Sequence, residues 1–340
     1  MKKFWVLLFS FIVLILLFSG CKKSGTNPLP LQNDQNSSGF QNDENVQPVL
    51  DGNQQEQQEP VETQGNGFEF GVEYGVPGLA ATFAQTGVHV VKPTPELVMW
   101  ERIQKTHDSQ LDFSDVDKHV KEYQEAGFDS MELLLTAQSP WASRSAVAPT
   151  VTDTRPKPEF EDDYQKFIKT AVERYDMDGI DDMPGLRYPI NYWGVEREFT
   201  GYFQGSGEEY VQVLKLVYPK IKEANPNAKV MLNALLLWDI FYGYPTEQEI
   251  TQRFANPLNG KRKDLDDAHI LLDAHEFFDV VDFHSLGDYS EIPPTVEWIK
   301  KEMQNRGAQK EIVIGDAFPM SPLMGYGLET CQVTPLSAKV

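Results

Sequence analysis

From residue 68 onward the chain repeats one pattern, a short apolar run followed by a stretch with apolar residues at helical spacing. The runs over 68–76, 89–92, 130–136, 190–198, 229–238, 280–286 and 311–317 read as strands. The third contains Leu133, Leu134 and Leu135, and the fifth is nearly all apolar. Between them, 78–86, 113–126, 162–175, 208–225, 264–277 and 294–306 read as helices. In 113–126, Val116, Val120 and Tyr123 recur on one face and Gly127 supplies the stop. Pro226 and Gly307 end two of the others. Strands apolar along their whole length must be covered on both faces, and alternating amphipathic helices supply the cover. The expectation is a parallel sheet with helices outside it.

Seven such units within about 250 residues match the size of a (β/α)8 TIM barrel. The alternative, a doubly wound open sheet, finds no Gly-rich phosphate loop to support it. Residues 318–340 hold no clear strand and helix. Either the sequence stops short of an eighth unit or the barrel closes irregularly.

The first 21 residues have a different character. Lys2 and Lys3 precede residues 4–18, which are apolar apart from Ser10, and Ser19-Gly20-Cys21 follows. A basic start, an apolar run and small residues before a cut site read as an export signal. Cys directly after Ser-Gly resembles the lipobox of bacterial lipoproteins. Phe18 stands where that family has Leu, with Leu17 one place earlier. The resemblance implies that Cys21 is lipidated and anchors the protein to a membrane of the cell envelope, facing outside the cytoplasm. An uncleaved anchor is the alternative, but residues 4–18 fall short of the ~20 needed to span a bilayer. Residues 22–66 are rich in Gln, Asn, Ser, Gly, Asp and Glu. Such a segment cannot bury enough apolar surface to offset its chain entropy, so a disordered tether with a reach of roughly 35–40 Å is expected. Residues 67–340 then form the folded domain.

The 340 residues carry 51 Asp and Glu against 30 Lys and Arg, a net charge of -21. A surface this acidic repels phosphate backbones, so no nucleic-acid partner is expected. With only Cys21 and Cys331, no disulfide framework holds the fold. The six histidines form no zinc-binding pattern. No cofactor is required, and a monomer is expected.

In a barrel of this kind the active site lies at the C-terminal ends of the strands. Lys92 ends the second, and Gln138, Ser139 and Trp141 follow the third. Glu196 and Glu198 end the fourth, Trp238 ends the fifth, His284 lies in the sixth and Asp316 near the end of the seventh. Two facing carboxylates among aromatics are what glycoside hydrolysis needs, one to protonate the leaving oxygen and one to attack or to activate water. Glu196 and Glu198 are two apart, so on a continuous strand they share a face and either could be the acid. Arg197 could pair with a neighbouring carboxylate, and Trp141 and Trp238 could be core residues or sugar platforms.

Tyr192-Trp193-Gly194-Val195-Glu196-Arg197-Glu198-Phe199 and Glu311-Ile312-Val313-Ile314-Gly315-Asp316 resemble two motifs of the clan A glycoside hydrolases. The resemblance spans residues 68–318, with Asp282-Phe283-His284 matching the sixth strand. It implies that the protein hydrolyses O-glycosidic bonds of an oligo- or polysaccharide. Glu198 falls on the acid/base and Asp316 on the nucleophile. Lys92, Trp141, Glu196, Arg197, Trp238 and His284 fall on the sugar-binding surface. Arg197 replaces the family's Asn, and Asp316 replaces a Glu, which withdraws the carboxylate by ~1.5 Å. A retaining enzyme, an inverting one and a catalytically impaired glycan-binding protein are all compatible with these departures.

Asp176-Met177-Asp178-Gly179-Ile180-Asp181-Asp182 resembles part of a calcium loop, with Asp176, Asp178 and Asp182 as candidate ligands. Arg187 stands at the twelfth place, where a bidentate Glu is usual. A structural Ca2+ site and a solvated acidic turn are the two readings.

Overall fold

A computed structural model describes residues 69–145, 154–199, 202–203, 205–237, 239–255, 265–286 and 288–317. Among them lie seven strands: β1 (Gly71–Gly75), β2 (Val90–Pro93), β3 (Ser130–Leu135), β4 (Tyr192–Val195), β5 (Lys229–Leu236), β6 (Val280–Ser285) and β7 (Glu311–Ala317). They form one sheet in sequence order, and every neighbouring pair is parallel. The connections carry α1 (Ala80–Ala84), α2 (Trp100–Ile103), α3 (Ser114–Glu125), α4 (Glu161–Glu173), α5 (Gly207–Ala224), α6 (Glu247–Ala255), α7 (Leu265–Asp273) and α8 (Ile292–Asn305).

The helices form where the sequence pattern places them, because each has an apolar stripe to bury. In α4, Tyr164, Phe167, Ile168, Ala171 and Val172 repeat at i, i+3, i+4, i+7 and i+8 and are fully buried. In α5, Ser206 and Glu209 form a capping box. The helix stops at Asn225, whose extended backbone is the conformation favoured before Pro226. The helix α6 and the turn α2 were not anticipated. Residues 264–277 divide into α7 and a short 3-10 turn, His275–Phe277.

Contacts between strands that are not neighbours show that the sheet curls. The Tyr192 hydroxyl of β4 donates to Glu311 of β7 at 2.8 Å, and Lys229 of β5 pairs with the same carboxylate. Lys92 Nζ of β2 donates to the Gly315 carbonyl of β7 at 3.1 Å. The result is a nearly closed, TIM-barrel-like α/β fold, with the main apolar core between strands and helices. The expected signal and tether, and residues 318–340, lie outside the described residues. Among the described residues no helix is long and apolar enough to cross a membrane.

Candidate active site

Charged residues stand inside otherwise apolar strands, among them Glu73 of β1, Lys92 of β2, Glu132 of β3 and Asp282 of β6. A charge in such a strand is costly unless paired, and these four meet. The Lys92 ammonium lies 3.2 Å from Glu73 and 4.0 Å from Glu132. Burial works against its charge, but Glu132, Asp282 and Glu73 outweigh burial and hold its pKa above the usual lysine range. Burial raises Glu132 to about 7, against the pull of Lys92.

Asp282 is fully buried and accepts the Gly315 backbone N–H at 2.8 Å. A Cβ at position 315 would stand 2.5 Å from Asp282 Oδ1, so glycine is what lets this carboxylate lie against β7. His284 sits two residues further along β6, 4% exposed. Its Nδ1 donates to Glu198 Oε1 at 2.7 Å, and its Nε2 lies 3.7 Å from Asp282 Oδ2. Burial lowers the imidazole pKa, but the two carboxylates outweigh burial and raise it to about 9. The ring is therefore an imidazolium near neutrality, bridging a buried carboxylate to a half-buried one.

The strand ends aim the remaining groups. β4 stops at Val195, because Glu196 takes a left-handed backbone with φ 60°. The strand alternation that would have put Glu196 and Glu198 on one face is thus lost. Glu196 turns into the protein, where it accepts from Ala137 N at 2.8 Å and Thr154 Oγ1 at 2.8 Å and meets Tyr164 Oη at 3.5 Å. It ties the segment after β3 to α4, while Glu198 goes to His284. Asp316 is the register partner of His284 on the adjacent strand.

On β1, Tyr74 also has a left-handed backbone, φ 55°, beside a register shift between Glu73 and Gly75. A bulky side chain with positive φ is strained, and a bulge re-aims its neighbours. Tyr74 is 52% exposed. Burial, Glu73, Asp316 and Glu198 together push its hydroxyl up to about 12. Burial raises the Glu73 carboxyl to about 8, against the pull of Lys92, and nearby Asp316 adds to the rise. Sequence reasoning overlooked Glu73, Tyr74 and Glu132 and gave Asp282 no role. A charged residue inside an apolar parallel strand was the available signal for three of them.

The remaining candidates go elsewhere. Arg197 stacks on Tyr202, 3.9 Å from its ring centroid, and pairs with Glu96 at 3.5 Å. Trp141 packs in an aromatic cluster with Trp100, His107 and Phe160, and its Nε1 donates to the Gln104 carbonyl. Trp238 and Cys21 lie outside the described residues. One carboxylate oxygen from each of Asp176, Asp178 and Asp182 falls within a 4.8 Å group. Asp182 accepts from Met177 N and Gly179 N, so the loop's own amides take part of that charge.

No family model matches the sequence. No curated protein matches it either. Among solved structures, the chain is similar to a family 39 glycoside hydrolase from the gut symbiont Bacteroides cellulosilyticus, at 14% identity and a TM-score of 0.47 over 72% of this chain and 47% of that one. It is similar to a monomeric beta-xylosidase from Caulobacter crescentus, at 12% identity and a TM-score of 0.48 over 75% of this chain and 53% of that one. It is also similar to a family 51 alpha-L-arabinofuranosidase from Bifidobacterium longum, at 12% identity and a TM-score of 0.41 over 69% and 47%. The chain spans about half the length of these structures.

Proposed function

We propose that this protein hydrolyses O-glycosidic bonds of an oligo- or polysaccharide outside the cytoplasm, held to a membrane by a lipid on Cys21. The observation that carries the reading is the hydrogen bond between Glu198 and His284 with Asp316 in register beside that histidine, both carboxylates half-buried at the C-terminal end of the barrel. Glu198 is assigned as the acid. The proton that reaches the leaving glycosidic oxygen through Glu198 comes from the His284 imidazolium, whose Nδ1–H is hydrogen-bonded to it, so the transfer leaves His284 neutral and Glu198 a carboxylate. Asp316 supplies the second carboxylate, which attacks the anomeric carbon or takes a proton from the attacking water. The exposed ring of Tyr74 offers a face for the sugar.

The short side chain of Asp316 favours a second reading, a barrel that binds glycans without turning them over. Hydrolysis of a panel of aryl β-glycosides separates the two. The protein is expected to release aryl alcohol, and E198Q and D316N are each expected to lose at least about 100-fold in kcat. Glycan binding without turnover by the folded wild type would leave the binding reading in place.

A further inference from the structure

We propose that Asn233 of β5 is a positioning residue of this site. Its side-chain amide holds the carbonyl of the left-handed Glu196 and so fixes the turn that sends Glu198 to His284. The inference deepens the reading of Glu198 as the acid and rests on it, but the arrangement itself can be tested without substrate.

The argument begins with the backbone. A left-handed glutamate is sparsely populated and persists only where its surroundings over-determine it. At Glu196 every polar group is engaged. Its N–H donates to the Leu135 carbonyl at 2.8 Å, and its carboxylate accepts from Ala137 N and Thr154 Oγ1. Its carbonyl accepts from Asn233 Nδ2 at 2.8 Å. The pairing of β4 with β5 ends at Val195 and Leu232, so Asn233 is the first residue of β5 beyond that ladder. The Tyr210 hydroxyl of α5 ties the same corner, donating to the Val195 carbonyl and accepting Asn233 N–H at 3.2 Å. Downstream, the Glu198 carbonyl accepts from Tyr202 N and Phe203 N at 2.8 and 3.0 Å. The turn is thus pinned on both sides of Arg197, and the Glu198 side chain leaves it toward His284 Nδ1.

Stability alone accounts poorly for an amide at this place. After Lys229, Asn233 is the single polar residue of β5, and it is 2% exposed. Its Oδ1 finds no partner among the described residues. A buried amide left half unpaired costs more than an apolar side chain of similar size. What the strand gains for that cost is one bond, and the bond goes to the strained residue two places before the acid.

Without this donor the turn relaxes and Glu198 leaves His284. The ring reports that movement, because Glu198 at 2.7 Å and Asp282 at 3.7 Å hold its charge while Lys92 opposes it. Asp316 is its register partner, and Glu73 and Glu132 also feel its charge.

Magnetic resonance of isotope-labelled histidine rings in the full chain, with His284 assigned by its loss in H284N, tests the proposal. The wild-type ring is expected to titrate near 9. E198Q should lower its proton affinity about tenfold or more, the effect of removing a close opposite charge. N233L should lower it by a comparable factor, and N233L with E198Q no further than E198Q alone. V230A loosens the same strand without touching the turn and should leave the ring unchanged. An unshifted ring in folded N233L, or an equal fall in V230A, would overturn the proposal. If N233L does not fold, N233S, whose hydroxyl stops one bond short of the carbonyl, replaces it under the same criteria. Where turnover is found, the Asn233 variant should lose about 100-fold in kcat with little change in KM, as expected for a ~1 Å misplacement of the acid. If the ring shifts as expected and no glycoside is hydrolysed, the positioning of Glu198 stands and the glycosidase reading falls.

Discussion

At the N-terminal end of the barrel, Lys229 of β5, Glu311 of β7 and the Tyr192 hydroxyl of β4 form a cluster in which one cation meets one carboxylate. At the C-terminal end, Lys92 and His284 face Glu73, Glu132, Glu198, Asp282 and Asp316, so two cations meet five carboxyl groups. The first cluster is balanced, and its two charged side chains are 41% and 38% exposed. The second is overloaded with acid and largely buried, and burial and mutual repulsion force Glu73 and Glu132 to hold protons that an exposed acid would release. Two residues with left-handed backbone, Tyr74 and Glu196, lie at the strand ends here, and two more, Met177 and Asp181, lie in the connection that leads into β4. Both clusters link strands across the barrel. Only the second combines carboxyl groups raised toward neutrality with left-handed residues at the strand ends themselves, which is the association expected of a reactive site.

The sharpest way to break the contrast is at Asp282. Its carboxylate is fully buried and is the counter-charge for Lys92 and His284. Removing one partner from a buried charged network costs about 3–5 kcal/mol, so Asp282→Leu should lose that much in urea unfolding. A loss below about 1 kcal/mol would show that the overloaded cluster is no more demanding than a surface pair. Gly315→Ala applies a smaller stress at the same contact. The added methyl would stand 2.5 Å from Asp282 Oδ1, and overpacking of this kind costs about 1–3 kcal/mol.

A pH titration sharpens the comparison further. The folded-state pKa values of Glu73, Glu132 and His284 are raised from 4.5, 4.5 and 6.5 to about 8, 7 and 9. A raised folded pKa gives stability that is complete below the unfolded value and is lost as pH climbs through the folded one. All three therefore act in one direction, and the unfolding free energy should fall steadily as pH rises from about 5 to about 9. E132Q should flatten the lower part of this slope, around pH 7. A profile rising with pH over that range would contradict the proton-holding cluster.

The frame of the molecule was legible because it depends on periodicity. β7 begins and ends at the residues its apolar run predicts, and α3, α4, α5 and α8 match within about two residues at either end. The strand order follows from simple alternation. The site was legible in part. Glu198 meets His284, and Asp316 is in register with that histidine, but the expected pairing of Glu196 with Glu198 on one face does not occur. A single left-handed residue separates them, and nothing in the string Val195-Glu196-Arg197 announces a positive φ at a glutamate. Lys92 illustrates a different limit. Its meeting with Gly315 joins residues more than two hundred positions apart, through a curl of the sheet that strand patterns alone do not specify.

The smallest expected effect lies at the balanced end. Lys229 and Glu311 are partly solvated, and an exposed pair gains little over water while fixing two long side chains. Lys229→Met, Glu311→Gln and the double variant should each change unfolding free energy by less than about 1 kcal/mol, with a coupling energy of the same small size. Turnover, if the protein hydrolyses glycosides, should be unaffected, because none of these groups touches the His284 network. A coupling of about 3 kcal/mol would mean that this end of the barrel depends on its ion pair as the other depends on Asp282. The distinction between a fastening cluster and a working one would then rest on backbone strain and proton affinity alone, with charge balance no longer a criterion.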